Sequence, residues 1–191
     1  MTKLSVKLDL IYLINMISSE LKNAVRDIPD FPKPGILFKD ITPILKDAEL
    51  CSRVIDEFVN RMKDDKIDVI AGIESRGFLF GLMLANRLQI PFVPVRKQGK
   101  LPAKTIQEPC ELEYGSAILE LHEDAFLPGQ RVMIHDDPLA TGGTVSAATR
   151  LVQKLGGTVA GYSFVISLDF LNGKEKLKEV SENIITLVSY P

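Results

Sequence analysis

A chain of 191 residues, 46% hydrophobic and 25% charged, is long enough to bury a full core in one domain and has an ordinary globular composition. Its net charge of -2 supplies no basic footprint for general nucleic-acid binding. Two cysteines, Cys51 and Cys110, make neither a disulfide framework nor a metal-ligand spacing, which points to a reducing compartment. No run reaches the ~18 apolar residues that a membrane span requires. Stretch 10–17 is apolar, but Asp9 and Asn15 interrupt its neighbourhood and no small-residue cleavage site follows, so the chain reads as cytoplasmic rather than exported.

In chain order, residues 17–28 read as a short amphipathic helix, capped by Ser18 or Ser19 and ended by Pro29, with Leu21, Ala24, Val25 and Ile28 on one face. Residues 30–45 contain Pro32, Pro34 and Gly35, which exclude a helix and predict an ordered loop. Phe38 on such a loop could stack on a flat ring. Residues 48–62 repeat apolar side chains at helical spacing (Leu50, Val54, Ile55, Phe58, Met62).

Residues 68–74 form a β-branched run that predicts a buried strand, followed by the turn Glu74, Ser75, Arg76, Gly77 and an apolar helix over 78–88. Arg76 is a candidate for bidentate recognition of an anion, with a surface ion pair as the competing use for it there. A third strand over 90–97 delivers Arg96, Lys97 and, shortly after, Lys100, a cluster that adds positive potential at a strand's carboxyl end. Residues 99–115 read as a long, irregular, polar loop, the length at which a loop is usually a mobile lid or disordered, carrying Glu113 and Tyr114. A carboxylate on a lid can serve as acid or base as closure excludes water. Leu119 and Leu121 then alternate with Glu120 and His122 as in a half-buried strand.

The stretch 131–144, RVMIHDDPLATGGT, is the chemical centre. A buried strand over 132–136 runs into Asp136 and Asp137; the loop Ala140, Thr141, Gly142, Gly143, Thr144 follows, and a helix begins near Val145. Unpaired N–H groups at a helix N-terminus, approached closely where glycine has no Cβ, hold a phosphate. Two carboxylates beside it suit hydroxyls or a hard cation and would repel a second phosphate. The loop lacks the lysine of a nucleoside-triphosphatase P-loop and the G-x-G-x-x-G of dinucleotide binders, so a sugar phosphate fits best. His135 is expected to be a strand histidine with a hydrogen-bond partner. Gly156 and Gly157 stop the helix, and further strands are expected over 159–168 and 183–190. Alternation of strands and helices predicts an α/β fold with a mainly parallel, doubly wound sheet flanked by helices.

Taken together, DDPLATGGT, ESRGFLFG, DFPKPGILFKDITPIL, VRKQGKLP and LEYG resemble the adenine phosphoribosyltransferases, of the type I phosphoribosyltransferase family, from about Ser18 to the C-terminus. The resemblance implies one phosphoribosyltransferase domain over 1–191, with 1–16 an N-terminal extension, 17–45 a small hood that binds the base, and 99–115 a flexible lid. It implies transfer of the 5-phosphoribosyl group from 5-phosphoribosyl 1-pyrophosphate to adenine, with Mg²⁺ held mainly by substrate and water, in a homodimer without nucleic-acid or membrane partners. The rivals are a phosphoribosyltransferase for hypoxanthine, guanine or xanthine, and a regulator that senses phosphoribosyl pyrophosphate; the latter would need a DNA-binding module, for which only a short N-terminal segment is spare in a slightly acidic chain.

By the same resemblance Ala140, Thr141, Gly142, Gly143 and Thr144 would cradle the 5′-phosphate, and Asp136 and Asp137 would meet the ribose hydroxyls. Glu74, Ser75, Arg76, Arg96, Lys97 and Lys100 match the pyrophosphate site. Leu37, Phe38, Lys39 and Leu168 match the adenine pocket, and Glu113 matches the acid/base residue at the base's ring nitrogen. The family usually has aliphatic residues at positions 135 and 138; Pro138 removes one N–H and biases Asp137 towards extended geometry.

Overall fold

The computed structural model describes residues 16–112 and 115–191. The chain divides into two compact units, residues 1–57 and 58–191, the division falling within one helix.

In the first unit residues 16–24 are helical (α1), burying Ile17 and Leu21. This helix stops earlier than the sequence pattern suggests, and Ser18 and Ser19 lie inside it rather than capping it. The next residues turn into strand β1 (Arg26–Pro29), which pairs antiparallel with β2 (Leu37–Asp40). The expected proline loop is therefore a hairpin: Asp30 accepts from the Gly35 N–H at 2.7 Å, closing the turn, and Pro29 sits at the end of a two-stranded edge where its missing N–H costs no ladder bond. Buried Asp40 ties the hairpin's end, accepting from Arg26 at 2.6 Å and from the N–H and hydroxyl of Thr42 at 2.9 and 2.8 Å. Helix α2 (Ala48–Met62) has the bounds its periodicity predicts.

The second unit is built on a seven-stranded sheet of order β5-β6-β4-β3-β7-β8-β9. Strands β3 (Val69–Ile73), β4 (Phe92–Lys97), β7 (Arg131–Leu139), β8 (Thr158–Leu168) and β9 (Ile184–Tyr190) run parallel. An antiparallel hairpin, β5 (Thr105–Leu112) and β6 (Gly115–His122), extends the sheet beyond β4. Here the expectation of an irregular loop over 99–115 fails: residues 105–112 pair with β6 along their whole length, from Thr105↔His122 to Leu112↔Gly115. Pro109 is tolerated because β5 is the outermost strand, with one ladder side open.

Helices α3 (Gly77–Leu88) and α4 (Gly143–Lys154) connect the parallel strands, and α5 (Gly173–Lys178), too short for its periodicity to register, precedes β9. Neighbouring β7 residues show that helices cover both faces. Ile134 belongs to the buried cluster with Ala147, Ala148 and Leu151 of α4, whereas a Cβ at Gly81 of α3 would sit 3.3 Å from the His135 ring. The chain winds from β3 outward to β4 on one side and resumes at β7 on the other. The carboxyl ends of β3 and β7 thus flank the switch point of the sheet, where open α/β folds hold their ligands.

Candidate active site at the sheet switch point

At that switch point lies an open cleft of about 340 Å³. Three chain segments meet in it. The turn after β3 contributes Glu74, Ser75 and Arg76; the end of β7 contributes Asp136, Asp137 and Pro138; and the loop into α4 contributes Ala140, Thr141, Gly142, Gly143 and Thr144. Lys97 at the end of β4 also lines it, as do Ala117 and Leu119 of β6 and Val145 of α4.

The acidic pair is not at the end of its strand, as the sequence suggested. Strand β7 continues to Leu139, and Pro138 pairs with Ile166 of β8. Pro138 is accommodated because β3, the neighbour on its other side, pairs with β7 only as far as His135. Asp137 is 1% exposed, and its Oδ2 lies 3.0 Å from Nε of Arg76. Its N–H donates to Asp136 Oδ1 at 2.9 Å. Burial, opposed by Arg76, pushes the Asp137 carboxyl up to about 6; burial and the adjacent Asp137 charge push Asp136 well above the usual carboxylate range. Two carboxylates this close titrate as one unit that keeps a proton near neutral pH. Gly77 makes room for the pair: a Cβ there would come within 2.8 Å of the His135 carbonyl and 3.0 Å of Asp136 Oδ1.

The N-terminus of α4 is open to the cleft. Gly142, with φ +77°, takes the N-cap position; no side chain caps the helix, and its first backbone bond runs from the Ser146 N–H to the Gly142 carbonyl at 2.8 Å. The N–H groups of Gly143, Thr144 and Val145 precede that bond, where a helix leaves its donors for a ligand. The loop is braced from outside on two sides. A Cβ at Gly173 would overlap the Ala140 carbonyl, and one at Gly143 would overlap the Glu111 carbonyl of β5. Sequence reasoning singled out neither Gly173 nor Glu111; the Asn172-Gly173 pair, a turn signal, was the one trace of the first brace.

Glu74 is held from β4, its Oε2 accepting from Arg96 Nε at 2.9 Å and from the Lys97 N–H at 3.1 Å. Arg96 also donates to the Lys100 carbonyl at 3.1 Å, and the Lys100 N–H donates to buried Glu120 at 2.9 Å. Lys97 therefore lines the cleft, while Arg96 and Lys100 stand behind it as supports of the turn and the 98–104 segment. The Glu74–Ser75 peptide is cis. Leu168 ends β8 and does not line the cleft. In the first unit Leu37 is exposed, Phe38 packs edge-on against Phe31 with ring centroids 5.1 Å apart, and Lys39 pairs with Asp27 at 2.6 Å. Glu113, Tyr114 and residues 1–15 lie outside the described residues.

His135 is fully buried, and its Nδ1 shares a 2.9 Å hydrogen bond with Ser163 Oγ, as expected of a strand histidine. Burial lowers its pKa to about 3, so it stays neutral. Among the described residues no group of three or more His, Cys, Asp or Glu could cage a metal ion. A Mg²⁺ coordinated by substrate oxygens, water and at most one or two carboxylates is compatible with that donor set. Among the described residues no helix is long and apolar enough to cross a membrane.

The family model for a phosphoribosyl transferase domain matches residues 39–189. An adenine phosphoribosyltransferase of a Thermoanaerobacter species is 53% identical over 175 residues, covering 92% of this chain and all of the relative. One from Cytophaga hutchinsonii is 48% identical over 175 residues, covering 92% of this chain and 97% of the relative. The crystal structure of adenine phosphoribosyltransferase from Thermoanaerobacter pseudethanolicus superposes with a TM-score of 0.86 at 52% identity, covering 90% of this chain and 99% of that one. The Saccharomyces cerevisiae enzyme, complexed with adenine and an imino-altritol bisphosphate, gives 0.84 at 44% identity, covering 91% and 99%. Matched over nearly its whole described length, the chain belongs to the phosphoribosyltransferase family, in its adenine branch.

Proposed function

We propose that this chain salvages purine by transferring the 5-phosphoribosyl group of 5-phosphoribosyl 1-pyrophosphate to adenine, releasing AMP and pyrophosphate. The observation that carries the reading is one cleft in which the uncapped N-terminus of α4, the carboxylates of Asp136 and buried Asp137, and the cations Arg76 and Lys97 stand together. Those three groups complement, in turn, a phosphate, a ring of hydroxyls and a pyrophosphate. The yeast relative's complex with adenine and a cyclic bisphosphate is of the same chemical kind.

In the reaction the C1–oxygen bond breaks with both electrons leaving on pyrophosphate, and adenine N9 forms the new bond to C1 and gives up a proton. Residues 140–144 bind the 5′-phosphate; Asp136 and Asp137 accept from the ribose hydroxyls and fix the sugar. Arg76 and Lys97 stabilise the negative charge that grows on the leaving group, an interaction strengthened where water is excluded. Mg²⁺ bound to the pyrophosphate would neutralise part of that charge. Leu37, Phe38, Lys39 and Leu168 are assigned to adenine and Glu113 to the proton at its ring nitrogen; these assignments rest on the family pattern. Arg96 and Lys100 orient the pyrophosphate turn.

A homodimer is part of the same reading. Leu79, Leu82 and Met83 of α3 are exposed at helical spacing, a face of the kind that a second copy covers. The free, buried Cys51 and Cys110 suit the reducing cytoplasm. The test is nucleotide formation from phosphoribosyl pyrophosphate, Mg²⁺ and each purine base in turn. AMP is expected from adenine; a product from hypoxanthine or guanine instead would reassign the base, and no product from any base would overturn the enzyme reading.

A further inference from the structure

Helix α4 is fastened to the outer hairpin at both of its ends. At the first, Gly143 lies so close to β5 that a Cβ would overlap the Glu111 carbonyl. At the last turn Arg150 and Lys154, four residues apart and so on one face of the helix, both bond the carboxylate of Glu108, which is only 7% exposed. Each of these cations also holds the neighbouring backbone: Arg150 donates to the Pro109 carbonyl at 3.0 Å and Lys154 to the Gln107 carbonyl at 3.1 Å. Three consecutive residues of β5 are thereby locked in register on α4, and the lock continues two residues later against the phosphate loop.

A buried ion pair adds little net stability over apolar packing, because desolvation of the charges offsets their attraction. What it supplies is a fixed geometry. We propose that Glu108 is a positioning residue for the 5′-phosphate: its clamp by Arg150 and Lys154 keeps β5 seated on α4, so that the Glu111 carbonyl braces Gly143 and the N-terminal N–H groups of α4 stay aimed into the cleft. The proposal rests on the reading of residues 140–144 as the phosphate cradle.

For Glu108→Gln charge alone makes the opposite forecast, so that variant decides between charge and position. Glu108→Gln removes a negative charge from the vicinity of the cradle and by Coulomb's law would tighten an anion. Lost positioning weakens it. The dissociation constants of ribose 5-phosphate and of inorganic pyrophosphate are measured on the full chain, for the wild type, for Glu108→Gln, and for Arg150→Met with Lys154→Met. The second variant leaves the Glu108 carboxylate buried without its cations, so melting curves accompany the titrations, and the combination with Glu108→Gln, which removes that buried charge, stands in if the second variant does not fold.

Ribose 5-phosphate binding is expected to weaken about tenfold in both variants, with pyrophosphate, held at the other end of the cleft, within about twofold. Combining all three substitutions is expected to cost no more than either set alone, since both break one clamp. An unchanged or tighter ribose 5-phosphate constant in Glu108→Gln overturns the proposal, as do equal losses for the two ligands or additive losses in the combination. Wild-type protein that fails to bind ribose 5-phosphate would instead overturn the cradle reading and this proposal with it.

Discussion

Nε of Arg76 lies 3.0 Å from Oδ2 of Asp137, so the turn after β3 and the end of β7 are joined by an ion pair across the floor of the cleft. The pair is unequal. The Asp137 side chain is 2% exposed and that of Arg76 33%, so the carboxylate is enclosed while the guanidinium keeps a face towards the cleft. Arg76 therefore holds the buried acid, and in the proposed function the same guanidinium also meets the incoming anion.

The first prediction follows from the cost of that enclosure. Burial raises the Asp137 pKa to about 6, above its ordinary 3.8, so the folded state holds the proton more tightly than the unfolded one. Stability from this group is fully present at low pH and is lost as pH rises from about 4 to about 6. Asp137→Asn removes the ionisation cost. Relative to wild type, the ligand-free variant should gain on the order of 2 kcal/mol above pH 7, roughly 4–8 °C in Tm, and nothing below pH 4. Thermal melts of both proteins from pH 4 to 8 check this; a difference that does not vary with pH would refute it. The same variant should lose phosphoribosyl pyrophosphate turnover.

Removing the other partner has the opposite sign. Arg76→Gln leaves a buried carboxylate without its cation, which destabilises the protein above pH 6 and weakens pyrophosphate by about 30- to 100-fold. Asp137→Asn in the same chain should restore the melting temperature but not the pyrophosphate affinity. Calorimetric binding with melting curves separates the two effects; recovery of affinity in the double variant would mean that Arg76 does not touch the anion.

How far the sequence revealed this arrangement depends on how local each signal is. Strands β3, β7, β8 and β9 are β-branched or apolar runs, and the helix after Gly142-Gly143 follows directly from its glycines, so the switch point and its glycine loop were legible. Strand β1 was hidden because Val25 and Ile28 continue the apolar face of the preceding helix, and β2 and β5 were hidden by prolines, which signal loops yet sit comfortably on edges. The continuation of β7 through Pro138 was hidden for a related reason, because only the three-dimensional end of β3 frees that side of the ladder. Glu108 looked like any polar residue of a loop; its partners stand 42 and 46 residues away, beyond any periodicity. Likewise, nothing in the spacing says that Lys97 faces the cleft while Arg96 turns to Glu74.

Gly143 offers a prediction that depends on backbone contact alone. It sits in ordinary helical conformation at the start of α4, so Gly143→Ala would be mild or favourable for the helix itself. The added methyl group, however, would overlap the Glu111 carbonyl and force the loop and β5 apart. Ribose 5-phosphate affinity should fall by about tenfold or more, while pyrophosphate binding changes little. Titration of both ligands decides; unchanged affinity would show that the loop can shift without moving its donors.

Glu113 supplies the last prediction. It follows the last residue of β5 in the sequence, and the family pattern assigns it to the proton at the ring nitrogen of the base. An acid/base group acts in the transition state and contributes little to ground-state affinity, typically with an effect of ~10²–10⁴ in rate. Glu113→Gln keeps the size and a hydrogen-bonding end but cannot exchange the proton. It should lower kcat by about two orders of magnitude or more, with the phosphoribosyl pyrophosphate dissociation constant within about threefold. Single-turnover kinetics provide the check. If kcat and binding fall together, Glu113 holds the substrate rather than its proton.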